Sequence, residues 1–176
     1  MKFNRNTDFK RLFSLEWLET NGIGGYASST VINCHTRRYH GLLVAKLEKP
    51  AGKFVLLSNL EDSILIGNNE FFLSSFQYPG VIHPKGYKNL YEFNTNEVPA
   101  FQYHIGKMLI KKEIMLVQKK NTVLIKYSGF NKGVKAKLRI KPLLAYRDFH
   151  SLSRENSQVQ TQTFKCKKGF FISPYY

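Results

Sequence analysis

From Val134 to Lys141 apolar and basic residues alternate without a break, with Val134, Ala136, Leu138 and Ile140 in one set and Lys135, Lys137, Arg139 and Lys141 in the other. Only an extended strand, whose successive side chains point to opposite faces, turns that pattern into one core face and one wet face. Similar short runs recur at hairpin spacing. Residues 26–32 and 39–47 read as strands, the second closed by Lys49-Pro50-Ala51-Gly52. Residues 54–60 and 63–66 lead through Gly67-Asn68-Asn69 into a returning strand over 70–76. Residues 101–103 and 108–117 flank Gly106-Lys107, and 122–127 is expected to pair across Asn131-Lys132-Gly133 with 134–144. Residues 8–20 settle on no period and read as a helical turn or an irregular lead-in. Residues 77–98, with Pro79-Gly80, Pro84 and Gly86, read as a long loop or short irregular strands. The sum is an all-β chain of about ten strands, a large antiparallel β-sandwich.

The 176 residues suffice for one domain with a sizeable core. Lys and Arg number 27 against 12 acidic residues, a formal charge of +15, which raises nucleic acid, anionic surfaces or acidic partners as possibilities. The excess is diffuse, with no long run of like charges. Cys34 and Cys166 lie far apart without metal-ligand spacing and read as two reduced, buried thiols. Neither a signal-peptide pattern nor a continuous membrane-spanning apolar stretch is visible, so the expected location is the cytoplasm. The aromatic run 169–176 ends without a polar cap, and we read the sandwich as incomplete there.

The densest chemistry lies in residues 21–41. Gly22, Gly24 and Gly25 follow Asn21 and precede Tyr26, a turn whose backbone can enter the left-handed region. The match of Gly22-x-Gly24-x-x-Ala27 to a dinucleotide fingerprint fails on context, because the β-prone Ser28-Ser29-Thr30-Val31-Ile32 follows where a helix would be needed. Arg37, Arg38, Tyr39 and His40 place two guanidinium groups, a phenol and an imidazole just before the apolar Leu42-Leu43-Val44-Ala45. The arginines can clamp a carboxylate or bind sugar hydroxyls, or they can form ion pairs with Glu16, Glu19 or Glu61. Arg147, Asp148 and His150 follow the last clear strand, either orienting a base or closing a loop. No metal spacing accompanies His40, no nucleophile accompanies the Asp-His pair, and Asp62, Glu92, Asp148 and Glu155 are too scattered to nominate a pair of catalytic carboxyls. We therefore expect no catalytic residue, metal or cofactor in this chain. Tyr127 or Tyr146 could serve as stacking platforms if the basic strand face tracked phosphates.

Three blocks carry a resemblance. They are Glu16-Trp17-Leu18-Glu19-Thr20-Asn21-Gly22-Ile23-Gly24-Gly25-Tyr26-Ala27-Ser28, then Thr36-Arg37-Arg38-Tyr39-His40-Gly41-Leu42-Leu43-Val44-Ala45, and Tyr146-Arg147-Asp148-Phe149-His150-Ser151-Leu152. In this order and spacing the chain resembles the N-terminal domain of bacterial and archaeal type glycogen debranching enzymes, the amylo-alpha-1,6-glucosidases. It departs from their pattern at Ile23, Ser29 and Cys34. The resemblance implies a glucoamylase-type N-terminal supersandwich spanning 1–176, preceding an (α/α)6 catalytic domain that lies outside this chain. It implies a non-catalytic module that supports the catalytic domain and contributes to α-glucan binding in glycogen breakdown. The expected partners are a glycogen-like α-glucan and that catalytic domain, and neither a membrane nor nucleic acid. The expected contacts are Asn21, Gly22, Gly24, Gly25, Tyr26, Arg37, Arg38, Tyr39 and His40, with Arg147, Asp148 and His150 bracing them. The rival readings are a basic nucleic-acid-binding β domain and a free-standing carbohydrate-binding module.

Overall fold

The computed structural model describes residues 1–3, 7–130, 133, 135–154 and 157–174. After a short helix α1 (Phe9–Leu12), capped by the Asp8 carboxylate on the Lys10 N–H, the chain is built from strands. These are β1 (Glu16–Thr20), β2 (Tyr26–Thr30), β3 (Gly41–Leu47), β4 (Gly52–Ile66), β5 (Asn69–Phe72), β6 (Ser75–Tyr78) and β7 (Val81–Lys85). A 3-10 turn at Gly86–Asn89 leads into β8 (Leu90–Asn94), β9 (Ala100–Ile105), β10 (Met108–Leu116), β11 (Val123–Phe130), β12 (Lys137–Asp148), β13 (Thr163–Cys166) and β14 (Gly169–Ile172). A six-stranded sheet runs β1-β2-β3-β4-β12, with β5 also on β4, and a four-stranded sheet runs β11-β10-β9-β8. The pairs β6-β7 and β13-β14 form separate two-stranded ribbons. All the strand pairings described are antiparallel.

The two larger sheets enclose one core, in which Trp17 and Ala27 from the first meet Phe93, Phe101, Ile110 and Ile114 from the second. The Trp17 ring lies edge-on to Phe101 at 6.1 Å, and Phe93 packs on Phe101 at 4.9 Å. The all-β sandwich read from the alternation is the fold observed.

Several local expectations need correction. The helical turn read as one alternative for 8–20 is α1, but the edge strand β1 follows it, its alternation hidden because Leu18 stays 62% exposed while Trp17 is buried. Residues 77–98, read as a long loop or short irregular strands, hold the end of β6, then β7 and β8. The runs 54–60 and 63–66, read as leading into the Gly67 turn, join in one continuous strand, β4, and the expected return pairs with it as β5. The largest correction concerns pairing: β11 belongs to β10, through the short connection in which Val117 N–H donates to the Thr122 carbonyl, and β12 crosses to β4. Asn131, Lys132 and Val134 lie outside the described residues.

Nearness in sequence favours a hairpin, but β4 offered a long unpaired edge that β12 fills from Lys137↔Leu65 to Asp148↔Phe54. Leu138 and Ile140 do face the side of Ile64 and Asp62, their direct partners. They remain 42% and 41% exposed, so the face expected to be core lies at the open margin of the sandwich. On its other face Arg139 bonds Glu70 at 3.0 Å and Lys141 bonds Glu61 at 2.5 Å. Cys34 is buried and Cys166 exposed, so only the first fits the buried-thiol expectation.

A cation breaks the apolar face of β10, between Met108, Ile110, Ile114 and Leu116. Lys112 is fully buried, and its Nζ lies 2.7 Å from Oδ2 of the equally buried Asp62 on β4. The Tyr127 hydroxyl donates to the same oxygen at 2.7 Å, and Lys112 Nζ sits 5.7 Å from the Tyr127 ring. Tyr127 is thus committed to the core and offers no outward platform for bases. This polar link joins the two sheets, and its removal from one side strands a charge. We expect Lys112→Met to cost about 3–5 kcal/mol in urea unfolding, and Asp62→Leu with Lys112→Met to recover most of that loss. A single-substitution cost under about 1 kcal/mol would contradict the assignment.

Candidate functional site

The turn between β1 and β2 is wound around Asn21. Its Oδ1 accepts the N–H groups of Ile23 at 3.1 Å and Gly25 at 2.9 Å, while its Nδ2 donates to the Lys120 carbonyl at 3.0 Å. Gly22 and Gly24 have φ of 74° and 93°, the left-handed region where a Cβ is strained. Gly25 is required for space, since a Cβ there would stand 2.5 Å from Asn21 Nδ2 and 3.0 Å from the Val44 carbonyl oxygen. Lys119 N–H donates to the Asn21 carbonyl at 2.7 Å and Gln118 Nε2 to that of Thr20 at 2.9 Å. The turn is therefore buttressed by the β10–β11 connection, a contact that no local pattern announces.

The loop from β2 to β3 is pinned twice. Thr30 Oγ1 accepts from the Cys34 N–H at 3.0 Å and donates to the Cys34 carbonyl at 2.8 Å. His40 Nδ1 accepts the Thr36 N–H at 3.1 Å, and its Nε2 lies 3.3 Å from the Glu16 carboxylate, which also holds Arg37 Nε at 2.5 Å. His40 is only 2% exposed, so it anchors the loop from inside and presents nothing to a ligand. Burial holds its imidazole below the usual histidine range against the opposing pull of Glu16.

Beside it, edge-on at 5.5 Å, stands His35, which burial pushes down to about 3, with the positive fields of His40, Lys112 and Arg147 adding to the shift.

The next residues, with the end of β12, form an exposed rim. Arg38 Nη1 donates to the His150 carbonyl at 3.0 Å, and Arg147 Nη2 donates back to the Arg38 carbonyl at 2.6 Å. Arg147 Nη1 also donates to the Ser151 carbonyl at 2.7 Å, and the Asp148 carboxylate accepts the His150 N–H at 2.8 Å. The Tyr39 hydroxyl and His150 Nδ1 are 3.3 Å apart, and the Tyr26 hydroxyl donates to the Tyr39 carbonyl at 2.8 Å. Phe149 packs 5.6 Å from Tyr39, while Lys53 Nζ lies 5.9 Å from the Tyr26 ring and 5.7 Å from Phe149. Burial raises the Tyr26 phenol, with Arg147 opposing, and burial lowers Arg147. The irregular pairing around Leu143, Leu144 and Arg147, with Tyr146 at φ 49°, re-aims the end of β12 towards this rim.

Of the twelve residues singled out, Tyr26, Arg38, Tyr39, Arg147, Asp148 and His150 come together on the rim. Arg37 and His40 share Glu16 instead, and Asn21, Gly22, Gly24 and Gly25 form a buttressed turn linked to the rim through Tyr26. Lys53 and Phe149 were missed. Phe149 lay between two nominated residues, whereas Lys53, inside a strand, left no local signal. Among the described residues no group of three His, Cys, Asp or Glu side chains is placed to hold a metal ion, and no helix is long and apolar enough to cross a membrane.

His35 supplies a test of this packing. Its folded-state value lies below the unfolded value, so the unfolded chain takes up a proton first, and stability falls as pH drops from 6.5 towards 3. At up to about 1.4 kcal/mol per pH unit, His35→Gln should lose roughly 2 kcal/mol less than the parent between neutral pH and pH about 5 in urea unfolding. Equal losses would contradict a ring held neutral in the fold.

Residues 15–176 match the family described as glycogen debranching enzyme N terminal. No curated protein and no solved structure matches the chain. The matched span takes in the Asn21 turn, the pinned loop and the rim alike. The chain belongs to the glycogen debranching enzyme N-terminal family.

Proposed function

We propose that this chain is the non-catalytic leading module of a glycogen debranching enzyme, and that its rim meets the catalytic module or the α-glucan chain that module works on. The observation that carries the reading is the joining of Arg38 and Tyr39 to Arg147 and His150, across more than a hundred residues, into one exposed cluster. Tyr39 is 40% exposed, so part of its ring is available to lie on the apolar face of a sugar. Exposed Arg38 and His150 supply directed hydrogen bonds to hydroxyls. Arg38, Lys53 and Arg147 outnumber Asp148, which suits an acidic facing surface. A cytoplasmic setting fits free Cys34 and Cys166.

The nucleic-acid alternative is weakened by the pairing of Arg139 and Lys141 with Glu70 and Glu61 and by the inward hydroxyl of Tyr127. A free-standing carbohydrate-binding module would use the same rim without a catalytic partner.

The experiment titrates this chain with maltoheptaose and with a separately expressed debranching-enzyme catalytic module. Arg38→Ala should weaken at least one of the two about five- to tenfold, roughly 1–1.4 kcal/mol, with an unchanged far-UV spectrum. Sugar binding should barely change with added salt, whereas phosphate-driven binding falls steeply. Both affinities unchanged in Arg38→Ala would overturn the rim assignment.

A further inference from the structure

The outward face of the four-stranded sheet carries polar side chains in register. Glu92 pairs with Gln102, Gln102 with Lys111 and Lys111 with Ser128, a single row across β8, β9, β10 and β11. The neighbouring row runs Asn94, Ala100, Glu113, Lys126. Over the two rows lies a depression of about 280 Å³ whose polar lining is Asn94, Asn96, Glu97, Gln102, Lys111 and Glu113. Further along the same face the Tyr91 ring stacks flat on His104, with 4.4 Å between centroids and 9° between planes, at the border of a wider groove of about 720 Å³. From Ala100 to His104 the strand advances roughly 14 Å, at about 3.4 Å per residue.

We infer that this sheet face is a binding surface for a neutral, hydroxyl-rich oligosaccharide, separate from the rim. The choice of an α-glucan as the sugar rests on the family reading, whereas the placement of the surface does not.

The chemistry of the face selects such a ligand. On a chain of formal charge +15 this patch carries no basic excess, since Glu92, Glu97 and Glu113 stand with Lys111 and Lys126, and Lys111 Nζ is held by Glu113 Oε1 at 2.6 Å while Lys126 Nζ approaches Glu113 Oε2 at 3.7 Å. The lysine partners also hold the Glu113 carboxyl below its usual range. A polyanion gains little against lysines already held by Glu113. The amides differ, since each offers donors and an acceptor together, the combination that a sugar hydroxyl answers. Asn94 and Asn96 make no side-chain hydrogen bond to another described residue, and Gln102 makes only a 3.5 Å contact with Glu92. The stacked Tyr91 and His104 rings add a flat aromatic step at one end of the amide row. A solvated sheet face needs neither a depression nor three amides lining it.

The test is calorimetric titration of this chain with maltoheptaose, in the parent and in Asn94→Ala, Gln102→Ala and Arg38→Ala. Neither side chain belongs to the core, so neither variant opens a cavity there, and their urea midpoints should match the parent's. Either sheet-face variant is expected to weaken binding about tenfold, while added salt leaves it unchanged. Unaltered affinity in both, or no binding by the parent at millimolar sugar, would overturn the inference. Loss in Arg38→Ala alone would also overturn it and leave the rim as the sugar site. The rim reading fails separately, when Arg38→Ala changes neither sugar binding nor docking of the catalytic module.

Discussion

The ladder between β4 and β12 is the constraint on which the rest depends. It joins residues 54–65 to residues 137–148, and it is formed only after a loop of more than seventy residues has closed. That closure costs entropy which grows slowly with length, and a long run of paired backbone groups repays it. Without the ladder Arg147 and His150 would have no fixed relation to Arg38 and Tyr39. With it, a loop between β2 and β3 and the far end of the chain become neighbours, and the irregularity near Tyr146 turns the last residues of β12 onto the rim.

The second element of order is the buried link from Asp62 to Lys112 and Tyr127. Both sheets contribute to it, and the same strand β4 carries the ladder at its edge and Asp62 on its inner face. A charge pair in a core is weak evidence of stability, because desolvation offsets much of the attraction. Its geometric effect is firmer, for a sheet shifted by one residue would turn Lys112 to solvent and leave Asp62 buried alone. The register of the two sheets, and with it the position of the rim, is tied to that pair.

Much of the architecture was legible in the sequence, for a definite reason. Period-2 alternation and turn chemistry are local, so β2, β3, β9 and β10 and the Gly67 and Gly106 turns could be placed without knowing their partners. The partner of β12 was not legible, because pairing is decided by which edge is free across the whole sheet. The same limit applied to the nominated contacts. Arg38, Tyr39, Arg147 and His150 announced themselves by residue type, but nothing local distinguished outward Arg38 from Glu16-bound Arg37, or inward His40 from exposed Tyr39. Lys112 could have been found, as a lone cation on the apolar face of an alternating strand.

The diffuse basic charge takes on a pattern once the pairs are known. Acidic side chains hold Arg37, Lys111, Lys112, Lys126, Arg139 and Lys141, and of the many other cations Arg38, Lys53 and Arg147 gather on the rim with a single carboxylate among them. The central claim is that this rim faces the catalytic module or its glucan. Hydrogen exchange of this chain, alone and with the separately expressed catalytic module and maltoheptaose present, tests it most directly. The account predicts added protection in residues 36–40 and 147–151 together, and exchange there unchanged while protection appears elsewhere, or nowhere, would contradict it.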